Sequence, residues 1–219
     1  MFAGHIGAAL AIGRAERRVN LGVLVVAALL LDLILWTLIL LGTVSATIPA
    51  DFFRTHQPAF VFPFSHGLMA AVAWALLAGA AAFLWYPKNE SEKFRIAAVM
   101  ALAVFSHWLL DALVHAPELP LAGESSRKVG LGLWHNMPVA LGAEALLVLL
   151  GLWLFLAGAP LSRNRKIGLA LFALLILAFT VFGMTLAPPP PSVTAMAASS
   201  LVTIIVVCAV AAWLGKRTQ

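Results

Sequence analysis

The chain has 219 residues, 63% of them hydrophobic and only 11% charged, with a mean hydropathy of +1.00. A soluble domain of this length needs far more polar surface, and the apolar residues fall in runs close to the roughly 20 that cross a bilayer as a helix. The formal net charge of +5 comes from short basic clusters between those runs, which argues for orientation in a membrane rather than for nucleic acid as a partner.

The alternating pattern of a membrane β-barrel is absent. The single cysteine, Cys208, leaves no intrachain disulfide or thiolate cluster to consider. In chain order, residues 2–14 are expected to form a short helix that lies on the membrane or dips into it. Their first charge is Arg14, whereas a secretory signal carries charge before its apolar stretch. Spans are expected at about 20–42, 64–86, 95–116, 137–159, 166–187 and 192–214. Breakers separate them: Gly42, Pro49, Pro58 and Pro63, then Pro87, Pro117 and Pro120, Pro160, and the run Pro188 to Pro191. The expected architecture is all-α, one polytopic bundle over residues 1–219 with six transmembrane helices and the short N-terminal helix.

Orientation follows from the basic residues. With a cytoplasmic N-terminus, Arg14, Arg17, Arg18, Lys88, Lys93, Arg95, Arg163, Arg165, Lys166, Lys216 and Arg217 all face the cytoplasm, eleven of the fourteen Lys and Arg. The other side keeps Arg54, Arg127 and Lys128. The bias alternates with every span, so both termini are expected in the cytoplasm.

Ionisable residues inside spans are costly and point to function. They are Asp32 in the first span, His66 opening the second, His107 and Asp111 in the third, and Glu144 in the fourth. His5 can join them only if the N-terminal segment is re-entrant. Ser106-His-Trp-Leu-Leu-Asp-Ala-Leu-Val-His115 sets His107, Asp111 and His115 four residues apart, on one helix face. At the helical rise, Asp32 lies roughly 18 Å and His107 about 18–20 Å from the basic ends of their spans. One layer in the outer half of the membrane can thus gather Asp32, His66, His107, Asp111 and Glu144. The polar site is expected within residues 1–145, and the helices of 166–214, with no ionisable residue in their interiors, are expected to be scaffold.

Three intramembrane carboxylates without an interior Lys or Arg need protons or a cation. A His and carboxylate shell suits a divalent metal, Zn²⁺ first, with Mn²⁺ or Fe²⁺ as alternatives. A relay of acids and histidines moving protons is the other solution. His56, His115, His135 and the Arg127-Lys128 pair are expected at interfaces or in solvated loops. No Gly-x-Ser-x-Gly elbow, phosphate-binding Gly-Lys-Ser/Thr loop or His-Glu-x-x-His occurs.

At Ser65-His-Gly and Ser106-His-Trp-Leu-Leu-Asp111 the chain resembles a bacterial family of small inner-membrane proteins, the YdjM-like or DUF457 group, identified as membrane-bound metal-dependent hydrolases. The family's early His, first-span acid, His motif and Ser-His-x-x-x-Asp motif correspond in order to His5, Asp32, His66, and His107 with Asp111. Two departures stand out: the family's Pro-Asp-x-Asp is here one acid, in Leu-Leu-Leu-Asp32, and its doubled His motif is here the lone Ser65-His66. That leaves one metal or none. The resemblance implies the inner membrane, a metal held by His66, His107 and Asp111 with Asp32 and His5 completing the shell, and hydrolysis of a lipid or phosphoester. Asp32 or Glu144 would be the general base. A small proton-coupled transporter and a non-catalytic scaffold with a decayed site are the alternatives.

Overall fold

The computed structural model describes residues 1–86 and 89–216; Pro87, Lys88 and Arg217, used above for breaks and orientation, lie outside them. The chain is helical: α1 (Phe2–Ala15), α2 (Leu21–Ala28), α3 (Leu30–Leu40), α4 (Phe52–Thr55), α5 (Leu68–Trp85), α6 (Glu90–Val114), α7 (Met137–Leu156), α8 (Arg163–Thr185) and α9 (Val193–Leu214). Helices α5 to α9 are each long and apolar enough to cross a membrane, and α2 with α3, bent by 57°, together have the length and hydropathy of a sixth, broken span or a re-entrant loop. The protein is therefore a multi-pass helical membrane protein, as composition requires.

Local sequence sets the helix starts. Side chains of Asn20, Asn89, Asn136, Ser162 and Ser192 each accept an amide from the first turn of α2, α6, α7, α8 and α9, satisfying donors that have no partner within the helix. Asn89 and the first-turn acids Glu90 and Glu92 start α6 five residues before the expected edge. Pro138 sits in the first turn of α7, where its missing N–H costs nothing. On the side away from the basic clusters, two short antiparallel pairs, β1 (Ala46–Thr47) with β2 (Ala59–Phe60) and β3 (Leu119–Pro120) with β4 (Lys128–Val129), tie the loops together.

Two departures from the expected bundle position the site. The first span is not one helix: it breaks at Leu29, and α2 and α3 meet at 57°. The N-terminal segment does not lie flat on the surface: Ala3, Gly4, His5, Ile6, Gly7, Ala9, Leu10 and Gly13 of α1 are buried. Helix α1 packs most extensively on α7, backbone against backbone. A Cβ at Gly7 would stand 2.6 Å from the Leu147 carbonyl, and one at Gly151 would stand 2.1 Å from the Gly7 oxygen. Only glycine at both positions lets α1 come that close, which makes this a close-packed crossing of the kind small residues allow in membranes.

Candidate metal centre

The break at Leu29 frees backbone for the site. The Ala28 carbonyl, at the end of α2, accepts a hydrogen bond from Nδ1 of His107 on α6 at 2.7 Å. A carbonyl can only accept, so this bond fixes the proton on Nδ1 and leaves the Nε2 lone pair facing inward. Irregular backbone at membrane depth is tolerated where protein satisfies it in this way. The same break places Asp32 in the first turn of α3, the helix end that favours negative charge. His66 enters from the loop before α5, its Nδ1 2.9 Å from Ser65 Oγ. With that hydroxyl accepting, His66 also presents Nε2 to the centre.

Four ligand atoms then converge. His66 Nε2 lies 3.2 Å from His107 Nε2, 3.4 Å from Asp32 Oδ1 and 3.4 Å from Asp111 Oδ2. His107 Nε2 lies 3.1 Å from Asp111 Oδ2 and 3.7 Å from Asp32 Oδ1. For metal–ligand bonds of 2.0–2.1 Å in a tetrahedron, the ligands stand about 3.3 Å apart. The separations of 3.1, 3.2 and 3.4 Å among His66, His107 and Asp111 bracket that spacing, which leaves a fourth position open, and Asp32 stands at its edge. With the Ser65 hydroxyl donating, His66 Nε2–H donates to the His107 Nε2 lone pair at 3.2 Å; with it accepting, both Nε2 lone pairs face inward, where a cation satisfies them. His66, His107, Asp111, Ser65 and Glu144 are buried, and the Asp32 side chain is 21% exposed. The residues fit a divalent cation, and the buried His and Asp groups can hold one.

Helix α1 brings in His5. Its ring stacks on His107, centroids 3.7 Å apart and planes 7° from parallel, and His5, Asp32 and His107 form a second group with metal-ligand spacing. Asp111 divides its oxygens: Oδ2 faces His66 and His107, while Oδ1 lies 3.1 Å from His5 Nε2 and accepts from the Met1 amine at 3.2 Å. Neither His5 nitrogen has a hydrogen-bond partner among the described residues; the Asp111 contact is close but off the direction a ring N–H would need. A buried imidazole left so is one a metal can satisfy. Glu144 plays a different local part. Its Oε2 accepts the Gly4 amide at 3.1 Å, at the start of α1, so it holds the helix that carries His5.

His115, expected at the interface, is buried. It ends α6 in an extended conformation, with Nδ1 on Glu118 Oε1 at 2.5 Å and Nε2 3.9 Å from Asp111 Oδ2. Its φ of −62° and its N–H bond to the Asp111 carbonyl are still helical, so the i, i+4 spacing sets its ring beside Asp111 as the stripe predicts. Beside these groups opens a cavity of about 480 Å³, lined by Asp32, His66, Asp111 and His115 at one end. Trp36, Phe60, Phe62 and Phe179 form its apolar walls, and Ser199, Ser200 and Thr203 of α9 face it as well. Sequence reasoning passed over these last residues because α8 and α9 carry no ionisable side chain in their interiors. The one available signal was three hydroxyls close together in an apolar span.

His56, Arg54 and His135 line a separate loop-side concavity that shares Trp134 and Met184 with the cavity. The Arg127-Lys128 pair stays in the β4 region, where Lys128 is paired with Glu124. No family model, curated protein or solved structure matches this chain.

Proposed function

We propose that the protein is a metal-dependent hydrolase of the bacterial inner membrane, with both termini in the cytoplasm, that cleaves a lipid or lipid-like phosphoester in the outer half of the bilayer. The observation that carries this reading is the convergence of His66, His107 and Asp111 at metal-ligand spacing, with Asp32 beside them, on a cavity with apolar walls. Zn²⁺ is the first candidate for such a shell. A bound divalent metal supplies Lewis acidity, which lowers the pKa of water and polarises a phosphoryl or carbonyl oxygen.

The protein's own groups do the rest. His107 and His66 are held by Ala28 and Ser65, so they arrive oriented. Asp32, partly exposed toward the cavity, is better placed as general base than Glu144, whose carboxylate is engaged at Gly4. Aromatic walls exclude water and fit an acyl or prenyl chain; about 480 Å³ lies within the range of small-molecule cavities. Trp134 Nε1, buried without a partner among the described residues, lines the same cavity and can donate to a substrate oxygen.

Two measurements test this. Mass-spectrometric metal content of purified protein is expected to give about one metal per chain, lost when His107→Ala and Asp111→Ala are combined. Ser200→Trp, which narrows the cavity from α9, is expected to keep the metal and cleavage of bis-p-nitrophenyl phosphate while losing cleavage of a dodecyl p-nitrophenyl phosphodiester, the long-chain probe. Full metal in the double variant refutes the site, and unchanged dodecyl-ester cleavage in Ser200→Trp refutes the lipid substrate.

A proton-coupled transporter is the second reading, favoured by one observation: Asp111, His115 and Glu118 form a run from the centre to a carboxylate that is 33% exposed. It expects pH-driven flux from protein that contains no stoichiometric metal.

A further inference from the structure

At the opposite end of the bundle, the turn after α1 and the first turns of α6 border a shallow, solvent-open hollow of about 680 Å³. Its lining is Arg14, Ala15, Glu16, Arg17, Arg18 and Arg95. We propose that this arginine cradle binds the phosphate of an anionic membrane lipid from the leaflet on the basic side.

Four guanidiniums around one hollow are not explained by orientation alone, because they are organised. Glu16 is 1% exposed and takes both neighbours: Oε1 lies 3.1 Å from Arg18 Nε, and Oε2 lies 3.1 Å from Arg95 Nε. Arg18 also pairs with Glu92, and Arg95 donates to the Ala15 carbonyl. Arg17 donates to Ala157 O at 2.8 Å and to Phe155 O at 3.4 Å, at the C-terminal end of α7. These bonds hold three guanidiniums in place while consuming only two carboxylates. Arg14, exposed in the last turn of α1, has no hydrogen bond or ion pair among the described residues. Arg14, Arg18 and Arg95 outnumber Glu16 and Glu92, which leaves net positive charge in this hollow at the end of the bundle.

The chemistry that matches is a phosphate oxyanion. Guanidinium forks bind phosphate with paired N–H donors, and their cost of ordering is already met by Glu16 and the α7 carbonyls. Basic pockets between spans are where anionic headgroups bind, each Arg near the surface contributing enough for roughly a fivefold change in affinity. An amphiphile suits the place better than a soluble ion, because Ala15 ends the apolar helix α1 and Arg95 opens the apolar stretch of α6, so the hollow sits where charged ends meet membrane-spanning surface.

The test uses the full chain in phosphatidylcholine nanodiscs doped with phosphatidylglycerol, with retained lipid counted by native mass spectrometry. Wild-type protein is expected to retain phosphatidylglycerol over phosphatidylcholine. Arg14→Gln removes a guanidinium that holds no structure, and Ala15→Glu adds a carboxylate without touching any arginine; each is expected to weaken retention about fivefold. Arg127→Gln, at the other end, is the control and leaves retention unchanged. Equal retention of the two lipids, or no change in both cradle variants, overturns the proposal. Displacement of the lipid by millimolar inorganic phosphate, sensitive to Arg14→Gln, overturns the lipid assignment and makes the cradle a site for a soluble phosphate compound.

Discussion

Metal linkage is the sharpest test of the centre, because the structure sets its size. A ligand that binds only the folded state at one hundred times its Kd stabilises by about 2.7 kcal/mol. For a chain of this length each kcal/mol moves the melting temperature by roughly 2–4 °C. Adding Zn²⁺ to protein stripped with chelator is therefore expected to raise the melting temperature by about 5–11 °C. His107→Ala removes one of the three ligand atoms and also leaves the buried Ala28 carbonyl without its donor, a loss of about 1–3 kcal/mol even without metal. Two effects must then appear together: a lower melting temperature in the stripped variant, and no further rise on adding Zn²⁺. Asp32→Asn separates them, since Asp32 holds no backbone group and its loss should affect only the metal-dependent rise. The assay is differential scanning fluorimetry in detergent, with metal quantified on the same samples. A metal-dependent rise in His107→Ala equal to wild type refutes the assignment of Nε2 as a ligand.

Ser65→Ala removes the oxygen against His66 Nδ1, and loss of such an orienting partner is expected to weaken metal affinity about 10–100-fold, read by competition with a chromogenic chelator. Gly7→Leu must displace α1, since even a Cβ there meets the Leu147 carbonyl at 2.6 Å; a loss of about 1–3 kcal/mol or more in thermal stability is expected, together with the His5 contribution to metal binding. Asn20→Ala removes the cap of α2 and its bond to the Ala212 carbonyl at 3.2 Å, and should cost about 0.5–2 kcal/mol while leaving metal stoichiometry at the wild-type value.

Much of the bundle was legible because its causes are local. A run such as Leu68–Trp85 or Val193–Leu214 has the length and hydropathy of a span wherever it occurs, and Asn89, Ser162 and Ser192 mark their own helix starts. The pairing of His107 with Asp111 was legible for the same reason: four residues on one helix is one turn, and the structure places Nε2 and Oδ2 at 3.1 Å. The choice between a surface and a buried α1 was left open by the sequence, because the burial rests on Gly7 meeting Gly151 of a helix more than a hundred residues away. The stripe places His115 beside Asp111, but its burial was not legible, because Phe62, Trp134 and Glu118 from the loops cover it.

The break at Leu29 is the most instructive of these. Residues 21–40 contain no proline, and their only glycine, Gly22, lies seven residues before the break, so neither usual sequence cause of a kink is at hand. The cause is tertiary: a side chain from another helix, His107, takes up the Ala28 carbonyl where the backbone turns by 57°. That single bond does two things at once. It satisfies a backbone acceptor that lipid could not satisfy, and it fixes the imidazole with Nε2 toward His66, Asp32 and Asp111. A straight first span would remove this acceptor and lose the start of α3 that carries Asp32. The bend and the centre therefore depend on each other. This predicts that the bend persists in His107→Gln, whose amide can still donate to Ala28, and relaxes in His107→Leu, which cannot. Spin labels at positions 23 and 40, both exposed, would report it. An unchanged distance between them in His107→Leu would show that the bend is held by packing alone.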